Sequence, residues 1–81
     1  MDLISLTEQI VKSLALHKDS VSVKEFPTDE ENEILIQVMI DSEDMGRVIG
    51  KGGKCANAIR TLCRAFAKAD NRHIVVKIEH R

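Results

Sequence analysis

Three of the four glycines in this 81-residue chain fall within the four positions Gly50-Lys51-Gly52-Gly53. No other feature restricts the fold as much. Glycine adopts positive φ without steric cost and lets a ligand approach the backbone closely. On the N-terminal side, Met45, Val48 and Ile49 form the apolar side of a short helix, with Ser42 as its cap and Glu43 and Asp44 in its first turn. A second helix starts near Gly53 or Lys54. Cys55, Ile59, Leu62 and Phe66 line one of its faces, broadened by Ala58, Cys63 and Ala65–Ala67, and Asn57, Arg60, Thr61, Arg64 and Lys68 fall on the other. The glycines therefore sit against a helix N-terminus. Its free N–H groups and positive dipole end suit an anion, phosphate above all. Lys51 and Lys54 add positive charge, and Arg47 lies one turn earlier.

The remaining elements follow from periodicity. Asp2 caps a first helix whose apolar face is Leu3, Leu6, Ile10 and Leu14, and which is expected to end near His17 with Lys18 at its negative end. Val21, Val23 and Glu25 share a face of a short strand that Pro27 breaks. An acidic turn, Thr28-Asp29-Glu30-Glu31-Asn32, follows. Ile34, Ile36, Val38 and Ile40 alternate strictly, as do Ile74, Val76 and Ile78, after a helix stop at Asp70-Asn71. The order helix, strand, strand, helix, glycine loop, helix, strand predicts one α+β domain over residues 1–81. It would hold a three-stranded sheet with helices packed on one face and the last strand parallel to the second.

Composition narrows the function. Charged residues make up 31 % and hydrophobic residues 43 % of the chain, a globular mixture. The only aromatics are Phe26 and Phe66, which counts against folds that stack bases on aromatic platforms. Residues 1–43 hold three Lys/Arg against ten Asp/Glu, a net of −7. Residues 44–81 hold nine against three, a net of +6. The near-neutral total thus contains a basic half able to attract phosphate locally. Cys55 and Cys63 are about 12 Å apart along one helix, too far for a disulfide, and make no metal-binding pair. His17, His73 and His80 have no partners at metal spacing, and Asp44, Asp70 and Glu79 are too scattered for paired-carboxylate chemistry. These features predict no metal, no cofactor and no enzymatic activity. Reduced thiols, the lack of a signal peptide and the absence of a long apolar run point to the cytoplasm.

Two other glycine motifs are excluded. A Walker A loop beginning at Gly46 requires glycine at its sixth position, where Lys51 stands, and a Ser or Thr after its lysine. A dinucleotide fingerprint beginning at Gly50 requires glycine where Cys55 stands, and the loop would have to follow a strand.

Val48-Ile49-Gly50-Lys51-Gly52-Gly53, followed by the helix bearing Ile59, resembles the I-G-x-x-G core of KH domains. Gly46–Lys51, Ala58–Arg60 and the strand ending at Arg81 extend that resemblance over essentially the whole chain. The element order looks like the type II, bacterial arrangement, α-β-β-α-α-β. The resemblance implies a clamp on about four nucleotides of single-stranded RNA. Gly50 and Gly53 would be its fixed ends, and Lys51 and Gly52 its phosphate-facing middle. Arg47, Lys54 and Arg60 would assist, and Val48 and Ile49 would contribute to an apolar groove for bases. It also implies self-association or pairing with a second KH protein. The alternative is a protein-interaction or dimerisation module, using the apolar side of the Cys55–Phe66 helix or Leu35 and Met39, with RNA binding secondary.

Overall fold

A computed structural model describes residues 2–69 and 71–81. The alternating residues of the second strand build its centre. β2 (Glu33–Ile40) turns Ile36, Val38 and Ile40 into the core, each with no accessible surface, and Ile34 packs at the core's edge. β1 (Ser22–Pro27) pairs antiparallel with β2, placing Val23 opposite Val38. β3 (His73–His80) pairs parallel on the other side, with Ile74 opposite Ile34 and Val76 opposite Ile36. The sheet order is β1-β2-β3. Pro27 is the last residue of β1, and regular structure stops after it as expected. β1 is an edge strand, where a missing N–H is tolerated.

α1 (Leu3–Leu14), α2 (Met45–Ile49) and α3 (Lys54–Ala69) bring Val11, Val48, Ile59, Cys63 and Ala67 to that same core. The result is the expected α+β arrangement. The opposite sheet face stays open, and Phe26, Leu35 and Val75 form a row across its three strands. Phe26 and Val75 are exposed there.

α1 begins as predicted. The Asp2 carboxylate accepts the Ser5 N–H at 2.7 Å. Its buried face is rotated from the expected one, however. Thr7 and Val11 are fully buried, while Leu6 is only half-buried and stands outside the core. Thr7 can be buried because its hydroxyl donates to the Leu3 carbonyl at 2.8 Å, which removes the polar cost. α3 is rotated likewise. Ala56, Ile59, Cys63 and Ala67 are buried, whereas Phe66 is 42 % exposed. Burial pushes the Cys63 thiol up, against a weak contact from Thr7. Asn71 ends this helix region with φ 56°. Its N–H bonds the Lys68 carbonyl while the Arg72 N–H bonds that of Ala67, the paired bonds of a Schellman cap. The Asp70 part of the predicted stop lies outside the described residues.

Two boundaries differ from expectation, and one residue explains both. α1 ends at Leu14, not near His17, because the next donors are captured elsewhere. The Leu16 and His17 N–H groups bond the Asp44 carboxylate at 3.1 and 2.9 Å. Lys18 does serve the helix end, donating to the Lys12 and Ala15 carbonyls at 2.7 and 2.9 Å. On the other side, Asp41 rather than Ser42 caps the turn Ser42–Asp44, accepting the Glu43 N–H at 2.8 Å. That leaves Asp44 to enter the interior just before α2.

Asp44 has no accessible surface. Desolvation, the largest single effect, pushes its carboxyl up. The N–H groups of His17 and Leu16, helped by charge on His17 and Arg47, more than offset this and hold it below the ordinary carboxylate range. Asp44→Ala strands two buried donors and is expected to lower Tm by about 10 °C or more. The folded carboxyl binds protons less readily than the unfolded one. Its stabilisation is therefore complete above the unfolded value of about 3.9 and is lost as pH falls through the lower folded value. Circular-dichroism melts taken from neutral to acid pH should show a steeper acid-side loss for wild type than for Asp44→Asn.

Candidate nucleic-acid interface

α2 is only five residues long, and the glycine loop follows it at once. The Gly50 N–H closes α2 by bonding the Gly46 carbonyl at 2.9 Å. Gly50 itself has φ 78° and ψ 169°, a region essentially confined to glycine. A Cβ there would lie 2.8 Å from Cys55 Sγ and 2.9 Å from the Cys55 nitrogen. Gly50 therefore satisfies two demands, an unusual backbone and close passage of the first turn of α3.

Lys51–Gly53 then make a single tight turn, with the Gly53 N–H bonded to the Gly50 carbonyl at 3.1 Å. Gly52 is left-handed (φ 65°, ψ 19°) and has open space where a side chain would be. Lys51, Gly52 and Lys54 are exposed. The loop thus presents bare backbone and two ammonium groups to solvent at the start of a 16-residue helix.

The other predicted site residues are placed unequally. Arg47 is half-exposed on α2, its Nε 3.8 Å from the Asp44 carboxylate, so part of its charge is directed inward. Arg60 is half-buried two turns into α3. Val48 has no accessible surface and belongs to the core, which leaves Ile49, half-buried, as the apolar residue at the surface beside the loop. Gly50 to Lys54 are contiguous, and Arg47 and Arg60 flank them from α2 and α3.

Two groupings escaped the spacing argument because they join distant segments. Asp44 supports α2 from beneath. His17, Asp41 and Glu43 bring ligand-capable atoms within 4.8 Å of one another, with His17 Nε2 3.7 Å from the Glu43 carboxylate. His17 and Glu43 are exposed, and the three suffice geometrically for an ion pair or a weak cation contact. Among the described residues, no helix is long and apolar enough to cross a membrane.

A three-stranded mixed sheet, covered on one face by helices and carrying a Gly50–Gly53 turn between the second and third of them, is a KH domain of the α-β-β-α-α-β arrangement. Residues 5–78 match the family described as "KhpA/KhpB, KH domain", and the chain belongs to that family. It is 44 % identical over 73 residues to the RNA-binding protein KhpA of Clostridium acetobutylicum, covering 90 % of this chain and 95 % of that one. The KhpA of Clostridium perfringens is 42 % identical over the same shares. That of Thermotoga maritima is 33 % identical over 90 % of this chain and 93 % of its own. Two structures of Era share the fold. One, from Aquifex aeolicus with GDP and AlF4− bound, superposes with a TM-score of 0.60 at 18 % identity, over 98 % of this chain. The other, in complex with MgGDPNP and a segment of 16S ribosomal RNA, gives 0.54 at 19 % identity over 96 % of this chain. This chain spans only 30 % and 29 % of those two Era chains.

The two loop glycines should respond differently to alanine. Gly50→Ala combines a glycine-only conformation with a steric clash and is expected to cost about 3 kcal/mol. Gly52→Ala meets open space and only the left-handed penalty, about 1–2 kcal/mol. Urea denaturation of both variants at matched temperature measures the difference.

Proposed function

We propose that this chain binds single-stranded RNA through the Gly50–Lys54 loop, with little sequence preference, as an RNA chaperone or post-transcriptional regulator and not as an enzyme. The observation that carries the reading is a three-glycine turn at the head of a long helix, with Lys51, Gly52 and Lys54 exposed on it. Phosphate oxygens would accept from the Lys51 and Gly52 N–H groups, since those of Gly50, Gly53 and Lys54 bond carbonyls of the turn and α2, and from the two ammonium groups, with Arg47 and Arg60 adding longer-range attraction. Ile49 would contact a base from the surface, and Val48 would hold α2 on the core beneath it. The names of the KhpA relatives favour the same ligand, as does the ribosomal RNA bound in the Era complex.

One loop of this size, with no aromatic at it, makes few contacts. Affinity should be micromolar or weaker at physiological salt. A second copy or a KhpB-like KH partner would raise it by avidity. An apolar groove between α1 and α3 supports such pairing. It measures about 250 Å³ and is lined by Ile10, Leu14, Cys55, Ala58, Ile59 and Leu62. If pairing through this groove dominated, Leu62→Asp would leave the fold intact by circular dichroism yet shift the sedimentation coefficient to that of a monomer.

The RNA reading is tested by fluorescence anisotropy with a labelled single-stranded RNA pool in low and moderate salt. Lys51→Asp/Gly52→Asp is a suitable variant, because Gly52 has room for a side chain and Asp tolerates its left-handed backbone. It should lose more than about tenfold in affinity and flatten the salt dependence. Equal binding by variant and wild type would remove the loop from the interface.

A further inference from the structure

α3 has an unusual charge pattern. Lys54, Arg60, Arg64 and Lys68 lie on it without a single Asp or Glu. Over residues 45–78, eight Lys/Arg face one carboxylate, Asp70. At 3.6 residues per turn, the four cations on α3, with Asn57 and Thr61, occupy about one third of its circumference. Lys54, Arg64 and Lys68 are exposed, and none of the four forms an ion pair among the described residues. A merely solvated helix face usually mixes charge signs at four-residue spacing, because that arrangement is stabilising. Here Arg60, Arg64 and Lys68 repeat the same sign at that spacing, which is unfavourable in the free helix. The helix dipole accounts for a cation in the last turn, such as Lys68, but not for Arg60 and Arg64 in the middle.

The ridge also leads somewhere. Beside its last turns is an open cleft of about 390 Å³, lined by Arg64, Lys68, Arg72 and His73 together with the apolar Ala67 and Ile74; the Arg72 guanidinium also lies 3.8 Å from the Glu25 carboxylate. The glycine loop is at the other end of α3, about 24 Å away at 1.5 Å per residue. Cations in line, ending at a cleft that combines Arg64 and Lys68 with apolar Ala67 and Ile74, match a backbone with phosphates to pair and a base to cover.

We infer that the cationic sector of α3 is a second contact region for single-stranded RNA, extending the footprint from the glycine loop to the Arg64/Lys68/Arg72/His73 cleft. This rests on the proposal that the loop clamps RNA, and it assigns Arg64 and Lys68 a role the clamp does not need. A strand of about four nucleotides, the length one KH loop spans, engages the loop alone. A longer strand also engages the ridge.

The test uses fluorescein-labelled oligouridines of about four nucleotides, the length of the clamp, and about three times that length. Wild type is compared with Arg64→Glu/Lys68→Glu and with the loop variant, all checked by circular dichroism. The ridge variant changes two exposed side chains some 15 Å or more from the loop, beyond the screening length of about 8–10 Å at physiological salt. Its affinity for the short strand should equal wild type. For the long strand it should fall about tenfold or more, and the slope of log K against log salt should drop by about 1.4, the value for two lost single-strand phosphate contacts. Long-strand binding and slope equal to wild type would overturn the inference and assign the ridge to another polyanion, such as an acidic protein segment. Equal losses on both lengths would overturn it too, since the ridge would then be part of the clamp. If the loop variant binds both lengths like wild type while the ridge variant loses only the long-strand gain, the clamp fails and the ridge stands. Absence of wild-type binding to either length overturns both.

Discussion

The buried carboxylate of Asp44 is the constraint from which the rest of the structure follows. A charge without accessible surface is costly unless strong hydrogen bonds replace its hydration. Here the replacements are the Leu16 and His17 N–H groups, which would otherwise have continued α1 or faced solvent. The exchange joins two segments 27 and 28 residues apart in sequence. It stops α1, directs the chain into β1 and fixes the start of α2. Charge-assisted bonds to backbone donors are short and directional, so this link sets position as well as energy.

Position matters because α2 has no independent stability. Five residues cannot offset the cost of helix nucleation. Asp44 at its start and Val48 in the core hold it from two sides, and Gly50 then passes against Cys55 with no room for a Cβ. The glycine turn is therefore exposed but not loose, since its N-terminal end is attached to the core and its C-terminal end continues into a four-turn helix. A backbone held in this way would meet the proposed phosphate ligand with little further ordering cost.

What was legible in the sequence was what repeats at a fixed local period. Ile34 to Ile40 and Ile74 to Ile78 alternate so regularly that the strands could be read directly, and the helical crossover between them set β3 parallel to β2. The loop was equally plain, because three glycines in four residues have few structural explanations. Helix existence was clear, but helix phase was not. In α1 and α3 the apolar residues exceed what one face can hold. Tertiary packing chose Thr7 and Val11 over Leu6, and Cys63 and Ala67 over Phe66. Asp44 was invisible for a related reason. Beside Ser42 and Glu43 it reads as one more acidic residue in a helix's first turn. Only its separation from Asp41, which caps instead, frees it to meet donors from the far end of α1.

The choice of small residues on α3 links packing to charge. Ala56, Cys63 and Ala67 leave only Ile59 as a bulky side chain among its buried residues, so the helix can lie close over the sheet. Close seating narrows the sector consumed by the core and leaves the remaining circumference free. Part of that freedom went to Ala58 and Leu62 beside the α1 groove. The rest carries cations, with the half-buried stem of Arg60 lying at the border where its aliphatic part can cover apolar surface and its charged head stay wet. Meanwhile, ten of the thirteen carboxylates lie in residues 1–43, five of them on the β1–β2 hairpin. The chain thus separates its charges between its two halves, and the near-zero total conceals a basic half that contains the loop and α3. Screening acts over about 8–10 Å at physiological salt. Along a helix of about 24 Å, the cations of α3 therefore act mainly on their own surroundings, and acids more than a screening length away weaken them little.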